Sequence, residues 1–141
     1  MITWSGVELQ CARESLGLSR ARLAEFLEID EDGVEALEVG DFGVPESLWF
    51  RVKLLEDIRD EVGDRMLIGV ETHPEGPMLV HDTDEDFWWA FPEYRDDRVP
   101  VEVHRVAAGL AMAEFRRGYP DVEWPGIEVV QRVAIPTHFD D

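Results

Sequence analysis

The chain contains a single cysteine, Cys11, among its 141 residues. An intrachain disulfide needs two cysteines, so this fold must be stabilised by a hydrophobic core instead. Apolar residues make up 45% of the chain, which is enough to build such a core. A lone cysteine is typical of proteins in reducing compartments, and we therefore expect a cytoplasmic protein.

Long apolar runs are also missing. The first residues, MITWSGVELQCARE, have neither the basic start nor the apolar stretch of a secretion signal. No segment approaches the roughly 20 apolar residues with which a helix spans a membrane. The sequence therefore predicts a soluble protein that has no membrane partner.

Positive charge is scarce in this chain. There are 13 Lys and Arg residues against 32 Asp and Glu, which gives a net charge of −19, and Lys53 is the one lysine. Both halves of the chain, divided at Gly63, are acidic. Domains that bind nucleic acid usually carry a basic patch or tail. The charge balance therefore disfavours nucleic acid as a partner.

Patterns typical of catalytic and cofactor sites are absent as well. The sequence has no glycine-rich phosphate loop and no Gly-x-Ser-x-Gly nucleophile motif. Its histidines, His73, His81, His104 and His138, are scattered and never have the i, i+4 spacing of a helical metal site. We therefore predict that the protein is not an enzyme and that it binds no metal or cofactor.

One acidic segment imitates a calcium-binding loop. Asp82, Asp84 and Asp86 lie two residues apart, and Glu93 follows eleven residues after the first of them. The sixth position of the imitation is Phe87, where the tight turn of such a loop requires glycine. We interpret the segment as a solvated acidic loop.

Helix-start signals divide the N-terminal part of the chain into four predicted helices. Ser5 begins a capping-box motif, with a glutamate three residues later. Ser19 and Asp30 are suited to cap a second and a third helix, and Pro45 suits the first turn of a fourth. We expect that fourth helix to end at Gly63.

The residues after Gly63 predict mixed structure. Residues 66–71 and 78–80 flank a turn-rich interval and are expected to form a hairpin or two short strands. Residues 100–117 have the apolar spacing of one long helix. The tail from Asp121 is compatible with a strand or with an arm that packs on a partner chain.

The residues between Leu18 and Pro45, above all the spacing of the apolar ones, carry a family resemblance. The matching positions are Leu18, Ser19, Leu23, Ala24, Phe26, Leu27, Ile29, Val34, Leu37, Glu38, Gly40 and Pro45. The pattern resembles the phage-repressor (Xre/Cro-like) helix-turn-helix family, and the whole chain more loosely resembles the YdiL-like bacterial proteins of unknown function. The resemblance implies a mainly α fold: a four-helix repressor-like domain (1–63) followed by a small α+β extension (64–141) with a hairpin and one long helix.

The resemblance also implies which side chains would face DNA. In the family, the residue after the Ser19 position commonly contacts a phosphate, and here it is Arg20. Arg13 and Arg22 are further candidates for phosphate contacts. Family members usually carry Arg, Ser, Thr or Gln at the base-reading positions of the recognition helix. In this chain the corresponding residues are Glu31, Asp32, Gly33, Glu35 and Ala36.

Acidic residues at these positions change what the recognition helix can bind. Binding to duplex DNA gains much of its free energy from counterions released when Lys or Arg neutralises phosphate, and carboxylates release none. A carboxylate held close to a phosphate is repelled by about 1 kcal/mol even in water-like surroundings. Acids in the first turn of a helix are instead stabilised by its dipole, by about 0.3–1 kcal/mol each. We interpret the helix surface as solvated or as a protein-binding surface.

These observations predict a regulatory protein, active in transcriptional control, that uses a helix-turn-helix scaffold mainly for protein–protein contacts. One alternative is a conventional sequence-specific regulator that contacts phosphate through Arg13, Arg20 and Arg22 and uses its acids to bind cytosine. A second alternative is a DNA mimic whose carboxylates occupy a nucleic-acid-binding protein. We rank the DNA mimic third of the three hypotheses, because the acids are spread evenly along the chain and are not clustered in one half.

The most aromatic segment contains Phe87, Trp88, Trp89, Phe91 and Tyr94. Consecutive residues of a strand face opposite sides, so a strand here could not direct every ring into one core. Part of the run would then pack on the helices and part would meet a second subunit, which makes a homodimer the expected assembly. The bulk that these rings bring to the C-terminal half favours core packing.

Overall fold

The structure is a computed structural model that describes residues 4–130. Within this range it contains six α-helices, a short 3-10 turn and two strands. In chain order they are α1 (Gly6–Ser15), α2 (Arg20–Leu27), α3 (Glu31–Val39), α4 (Glu46–Thr72), β1 (Met78–His81), α5 (Asp84–Ala90), the 3-10 turn (Pro92–Tyr94), α6 (Val101–Gly118) and β2 (Ile127–Val130). The mainly helical fold class is confirmed. No helix in the described range combines the length and hydrophobicity needed to cross a membrane.

The first three helices begin at the predicted residues. Ser5 and Glu8 form a complete capping box, in which each side chain accepts a hydrogen bond of 3.1 Å from the other residue's backbone N–H. The hydroxyl of Ser19 accepts from the backbone N–H of Arg22. Asp30 occupies the N-cap position of α3 but makes no side-chain cap hydrogen bond within the described residues. Side-chain capping therefore stabilises the starts of α1 and α2.

The predicted end of the fourth helix at Gly63 is wrong. α4 continues to Thr72 and includes residues 66–71, which were expected to form a strand. A glycine weakens a helix interior by up to about 1 kcal/mol relative to alanine. Here α4 packs along α6, and a Cβ on Gly63 would lie 3.6 Å from the carbonyl oxygen of Ala107. Burial of the apolar face of α4 outweighs the weak helix propensity of glycine.

The predicted hairpin is also wrong. Residues 78–81 form the strand β1, but β1 pairs with a strand far along the chain. β1 and β2 form a two-stranded parallel sheet, in which Met78 lies opposite Ile127 and His81 lies opposite Val130. Parallel strands need a long crossover connection, and α5, the 3-10 turn and α6 provide it. The long helix expected over residues 100–117 is confirmed as α6.

The buried side chains form two apolar clusters. The larger cluster packs side chains of α1 to α4 against side chains of α5 and α6. It therefore contains residues from both sides of Gly63 in the sequence. The smaller cluster lies between α4, α6 and β1, and consists of Val70, Met78, Val80, Ala108, Ala111 and Phe115. The domain boundary predicted at Gly63 therefore lies inside α4 and inside the shared core.

Candidate functional site

Glu38 in α3 is a buried carboxylate held by two arginines. Its side chain is 0% exposed. Arg13 of α1 donates to it through Nε (2.6 Å) and Nη2 (3.1 Å), and Arg20 of α2 donates through Nε (2.9 Å). Burial alone would raise the pKa of Glu38, but hydrogen bonds from the two guanidinium groups outweigh it and hold that pKa below its usual value. Glu38 thus ties α1, α2 and α3 together.

Arg22, the third predicted phosphate contact, is held by two other carboxylates. It donates to Glu102 of α6 through Nε and Nη2, both at 2.8 Å, and to both oxygens of Asp84 in α5 at 2.7 and 2.8 Å. Hydrogen bonds to Glu102 and Asp84 raise the pKa of Arg22. Asp84 also accepts from the backbone N–H of Val101, at the start of α6. This network connects α2 to α5 and α6.

The guanidinium groups of all three arginines predicted to contact phosphate are therefore hydrogen-bonded to carboxylates of the same chain. The structure brings Arg13 and Arg20 together at Glu38 and places Arg22 at a separate network. A phosphate would have to compete with carboxylates that lie within 3 Å of these groups. Sequence patterns cannot identify such pairs, because their members are up to 80 positions apart.

The outer face of α3 is open to solvent, as the sequence predicted. Beyond the predicted residues it continues into two strongly exposed apolar side chains, Val39 (70%) and Phe42 (72%). Val39 lies one helical turn after Glu35, a spacing that was readable in the sequence. The ring of Phe42 folds back on the end of α3 and leaves no room for a Cβ on Gly40. We call the exposed residues Glu31, Asp32, Glu35, Ala36, Val39 and Phe42 the α3 surface; the predicted Gly33 is half-buried.

The aromatic run lies in a helix and a 3-10 turn, so its interpretation as a strand is wrong. The hydroxyl of Thr83 caps α5 by accepting from the backbone N–H of Asp86 at 3.1 Å. Acids occupy the first turn of this helix, where the helix dipole stabilises negative charge. The segment interpreted as a solvated acidic loop is therefore largely the start of α5.

Most rings of the aromatic run face the protein interior. Phe87 and Tyr94 are buried, and Trp88 and Phe91 are half-buried. The indole N–H of Trp88 donates to the carbonyl of Val99 at 2.7 Å. Trp89 differs, since 61% of it is exposed. Trp89 is therefore the ring of this run that is best placed for an interface.

A mainly apolar cavity of about 400 Å³ lies where α4, β1, the aromatic run and α6 meet. Met66 and Val70 of α4 and Met78 of β1 form part of its wall, and Phe87 and Phe91 add aromatic rings. Three of its lining residues, Phe87, Phe91 and Tyr94, belong to the predicted aromatic run, but a cavity at this place was not predicted. Its volume lies within the range of small-molecule binding sites.

His104 is the most buried polar residue at this cavity. It is 1% exposed, and its ring stacks on Phe87 with centroids 4.7 Å apart. Its Nε2 accepts a hydrogen bond from the backbone N–H of His81 at 3.2 Å. Burial, together with the nearby His81 and Arg105, lowers the pKa of His104 to about 4. The ring is therefore neutral at pH 7, and its hydrogen is on Nδ1 because Nε2 is the acceptor.

Three buried polar atoms in this region lack a hydrogen-bond partner among residues 4–130: Nδ1 of His81, Nδ1 of His104 and the hydroxyl of Tyr94. A buried polar atom without a partner destabilises a fold by about 1–3 kcal/mol. Native proteins contain few such atoms, and each one calls for an explanation, such as backbone strain, a catalytic role, or a bound water or ion. Tyr94 and His104 both line the cavity.

The described residues contain no group of three or more His, Cys, Asp or Glu side chains arranged to hold a metal ion. The rings of His81 and His104 lie 5.5 Å apart, whereas His73 is exposed beyond the end of α4. His138 lies outside the described residues.

Neither the protein-family models nor the curated proteins with which the sequence was compared match this chain. The resemblance to the repressor family therefore rests on the residues between Leu18 and Pro45 and stays a prediction.

Proposed function

We propose that this chain is a regulatory protein, active in transcriptional control, that uses a helix-turn-helix scaffold to bind another protein through the α3 surface. One contrast supports the proposal. The guanidinium groups of Arg13, Arg20 and Arg22 are bound to internal carboxylates, whereas the α3 surface presents acids next to two exposed apolar side chains.

Duplex DNA matches the α3 surface poorly. The basic group closest to its acids is Arg20, whose Nη1 lies 3.9 Å from Glu35 and whose Nε donates to Glu38. Turning Arg20 toward a phosphate would remove one partner from a buried carboxylate, which is a costly loss. The alternative of phosphate contacts through Arg13, Arg20 and Arg22 would require breaking internal ion pairs at each position.

A basic protein with an apolar depression fits the α3 surface better. Its Lys or Arg side chains would pair with the acids at the edge of the contact, and Val39 and Phe42 would supply buried apolar area at the centre. A second copy of this chain presents the same acids and would be repelled. A homodimer would therefore use another surface, and Trp89 is one of the exposed rings available for it.

Fluorescence anisotropy with duplex DNA tests the DNA alternative first. The protein is titrated into a random duplex and into a duplex from its own promoter region, at two salt concentrations. We expect no salt-dependent binding to either duplex at micromolar protein concentrations. Nanomolar binding to the promoter alone, weakened by Arg20→Ala, would contradict the proposal.

Capture of the partner tests the α3 surface directly. The double variant Glu31→Lys/Glu35→Lys and the single variant Phe42→Ser are expected to lose a protein that the unchanged chain retains. The matched control, Asp96→Lys/Asp97→Lys, reverses two exposed acids in the turn before α6 and is expected to retain it. Equal retention by all four proteins would show that the α3 surface is not the contact.

A further inference from the structure

The cavity between α4, β1, the aromatic run and α6 has two properties that together indicate a ligand. It is partly open to solvent, and its volume of about 400 Å³ lies within the range of small-molecule binding sites. Two of its lining residues, Tyr94 and His104, are at least nine-tenths buried and have a polar atom without a partner among residues 4–130. A ligand that hydrogen-bonds to these atoms would satisfy both.

The hydrogen bonds of His104 define which polar group the ligand needs. Nε2 accepts from the backbone of His81, so Nδ1 carries a hydrogen and acts as a donor. The phenol of Tyr94 both donates and accepts. Arg65, the one Lys or Arg among the described lining residues, is largely exposed and lies near Glu61 (2.8 Å) and Glu93 (3.8 Å). The interior wall thus provides no cation to bind a carboxylate.

We propose that the cavity binds an uncharged, mainly apolar small molecule with an oxygen that accepts a hydrogen bond from Nδ1–H of His104 and meets the hydroxyl of Tyr94. A ketone, ester or amide on an aromatic or branched apolar body has this chemistry. The two polar atoms are closed off from the cavity as well as from solvent. Ligand binding therefore requires that side chains of the wall shift, and Met66 and Met78 in that wall are unbranched and adaptable. The binding site is separate from the α3 surface and does not depend on the function proposed for it.

A matched pair of uncharged compounds tests the proposal on the full chain. Benzophenone carries a carbonyl between two phenyl rings, and diphenylmethane has a methylene in its place. Each is used to displace the uncharged fluorescent probe N-phenyl-1-naphthylamine. We expect benzophenone to bind roughly three- to tenfold more tightly, as expected for one or two net hydrogen bonds. Benzophenone, but not diphenylmethane, is also expected to shift the imidazole ¹⁵N resonance of His104 Nδ1.

Two variants connect this binding to the cavity. Tyr94→Phe removes one hydroxyl, and we expect it to reduce the preference for benzophenone about twofold or more while diphenylmethane binds as before. Gly69→Leu adds a side chain at the cavity wall, where a Cβ would have no described atom within 4 Å, and is expected to block both compounds. Gly109→Leu is its matched control, since this helical glycine has equal space but does not line the cavity.

Three results would overturn the proposal. Failure of the fluorescent probe and of both compounds to bind would show that the cavity is not a ligand site. If benzophenone and diphenylmethane bind with equal affinity, both to the unchanged chain and to Tyr94→Phe, the two polar atoms do not bind the carbonyl oxygen. Binding retained in Gly69→Leu, with the same affinity as in Gly109→Leu, would place the compounds elsewhere on the protein.

Discussion

The guanidinium of Arg22 in α2 and the carboxylate of Asp84 in α5 are joined by two hydrogen bonds, of 2.7 and 2.8 Å, across 62 positions of the sequence. Glu102 of α6 binds the same guanidinium. A side chain that was predicted as a possible phosphate contact therefore holds α5 and α6 against α2.

Arg22→Ala is expected to lower the free energy of unfolding by about 1–3 kcal/mol. The substitution leaves Asp84 and Glu102 close together without their shared cation, and partial exposure keeps the loss below that of a fully buried pair. Urea denaturation measures the change. Arg95→Ala, whose exposed pair with Asp96 is 4.0 Å long, is the control and should change stability by less than about 0.5 kcal/mol. Equal effects of the two substitutions would show that the network adds no stability.

Glu38→Gln is expected to destabilise the protein by about 2–4 kcal/mol at pH 7, because two partly buried guanidinium groups lose their buried counter-charge. The pKa of Glu38 is lowered in the folded state, so its contribution is complete above its ordinary pKa of 4.5. The contribution is lost as the pH falls through the lower folded value. The difference between Glu38→Gln and the unchanged chain should therefore shrink below pH 4.5 in denaturant titrations. Glu35→Gln, on the exposed face of the same helix, is the control and should have little effect at pH 7.

His104 is expected to make the free energy of unfolding decrease as the pH falls from 6.5 toward 4, a higher range than that of Glu38. Burial lowers its pKa from 6.5 to about 4, so the unfolded chain takes up a proton before the folded one does. The stability that His104 contributes is complete above pH 6.5 and is lost, by up to about 3 kcal/mol, as the pH falls toward 4. Thermal unfolding across this range should show a shallower pH dependence for His104→Gln.

A residual slope is expected in His104→Gln, because burial also lowers the pKa of His81. His73→Gln replaces an exposed histidine and should leave the slope of the unchanged chain in place. A pH dependence that is the same in all three proteins would contradict the assignment to His104.

Two glycine substitutions are expected to change stability in opposite directions. A Cβ on Gly6 would overlap the carbonyl oxygens of Leu37 and Glu38, because α1 begins directly against the end of α3. Gly6→Ala should therefore lower the free energy of unfolding by about 1–3 kcal/mol. Gly63→Ala places its Cβ at ordinary contact distance from Ala107 and should raise the free energy by up to about 1 kcal/mol. Destabilisation by Gly63→Ala in urea denaturation would show that α4 and α6 pack more closely there.

Local signals in the sequence were sufficient for the helix starts and for much of the core. Ser5, Ser19 and Asp30 stand at the starts of α1, α2 and α3, because capping involves residues within one turn of each other. Apolar spacing likewise identified α6.

Contacts between distant residues decided the rest. Whether α4 stops at Gly63 depends on the packing surface that α6 offers, and β1 finds its partner beyond an entire helix. The charge of Arg13, Arg20 and Arg22 was evident from the sequence alone. Which carboxylates bind them, and therefore whether they are available to a phosphate, depends on the tertiary structure. Ion pairs and strand pairing join side chains and backbones that only packing brings together, and no local spacing in the chain encodes those partners.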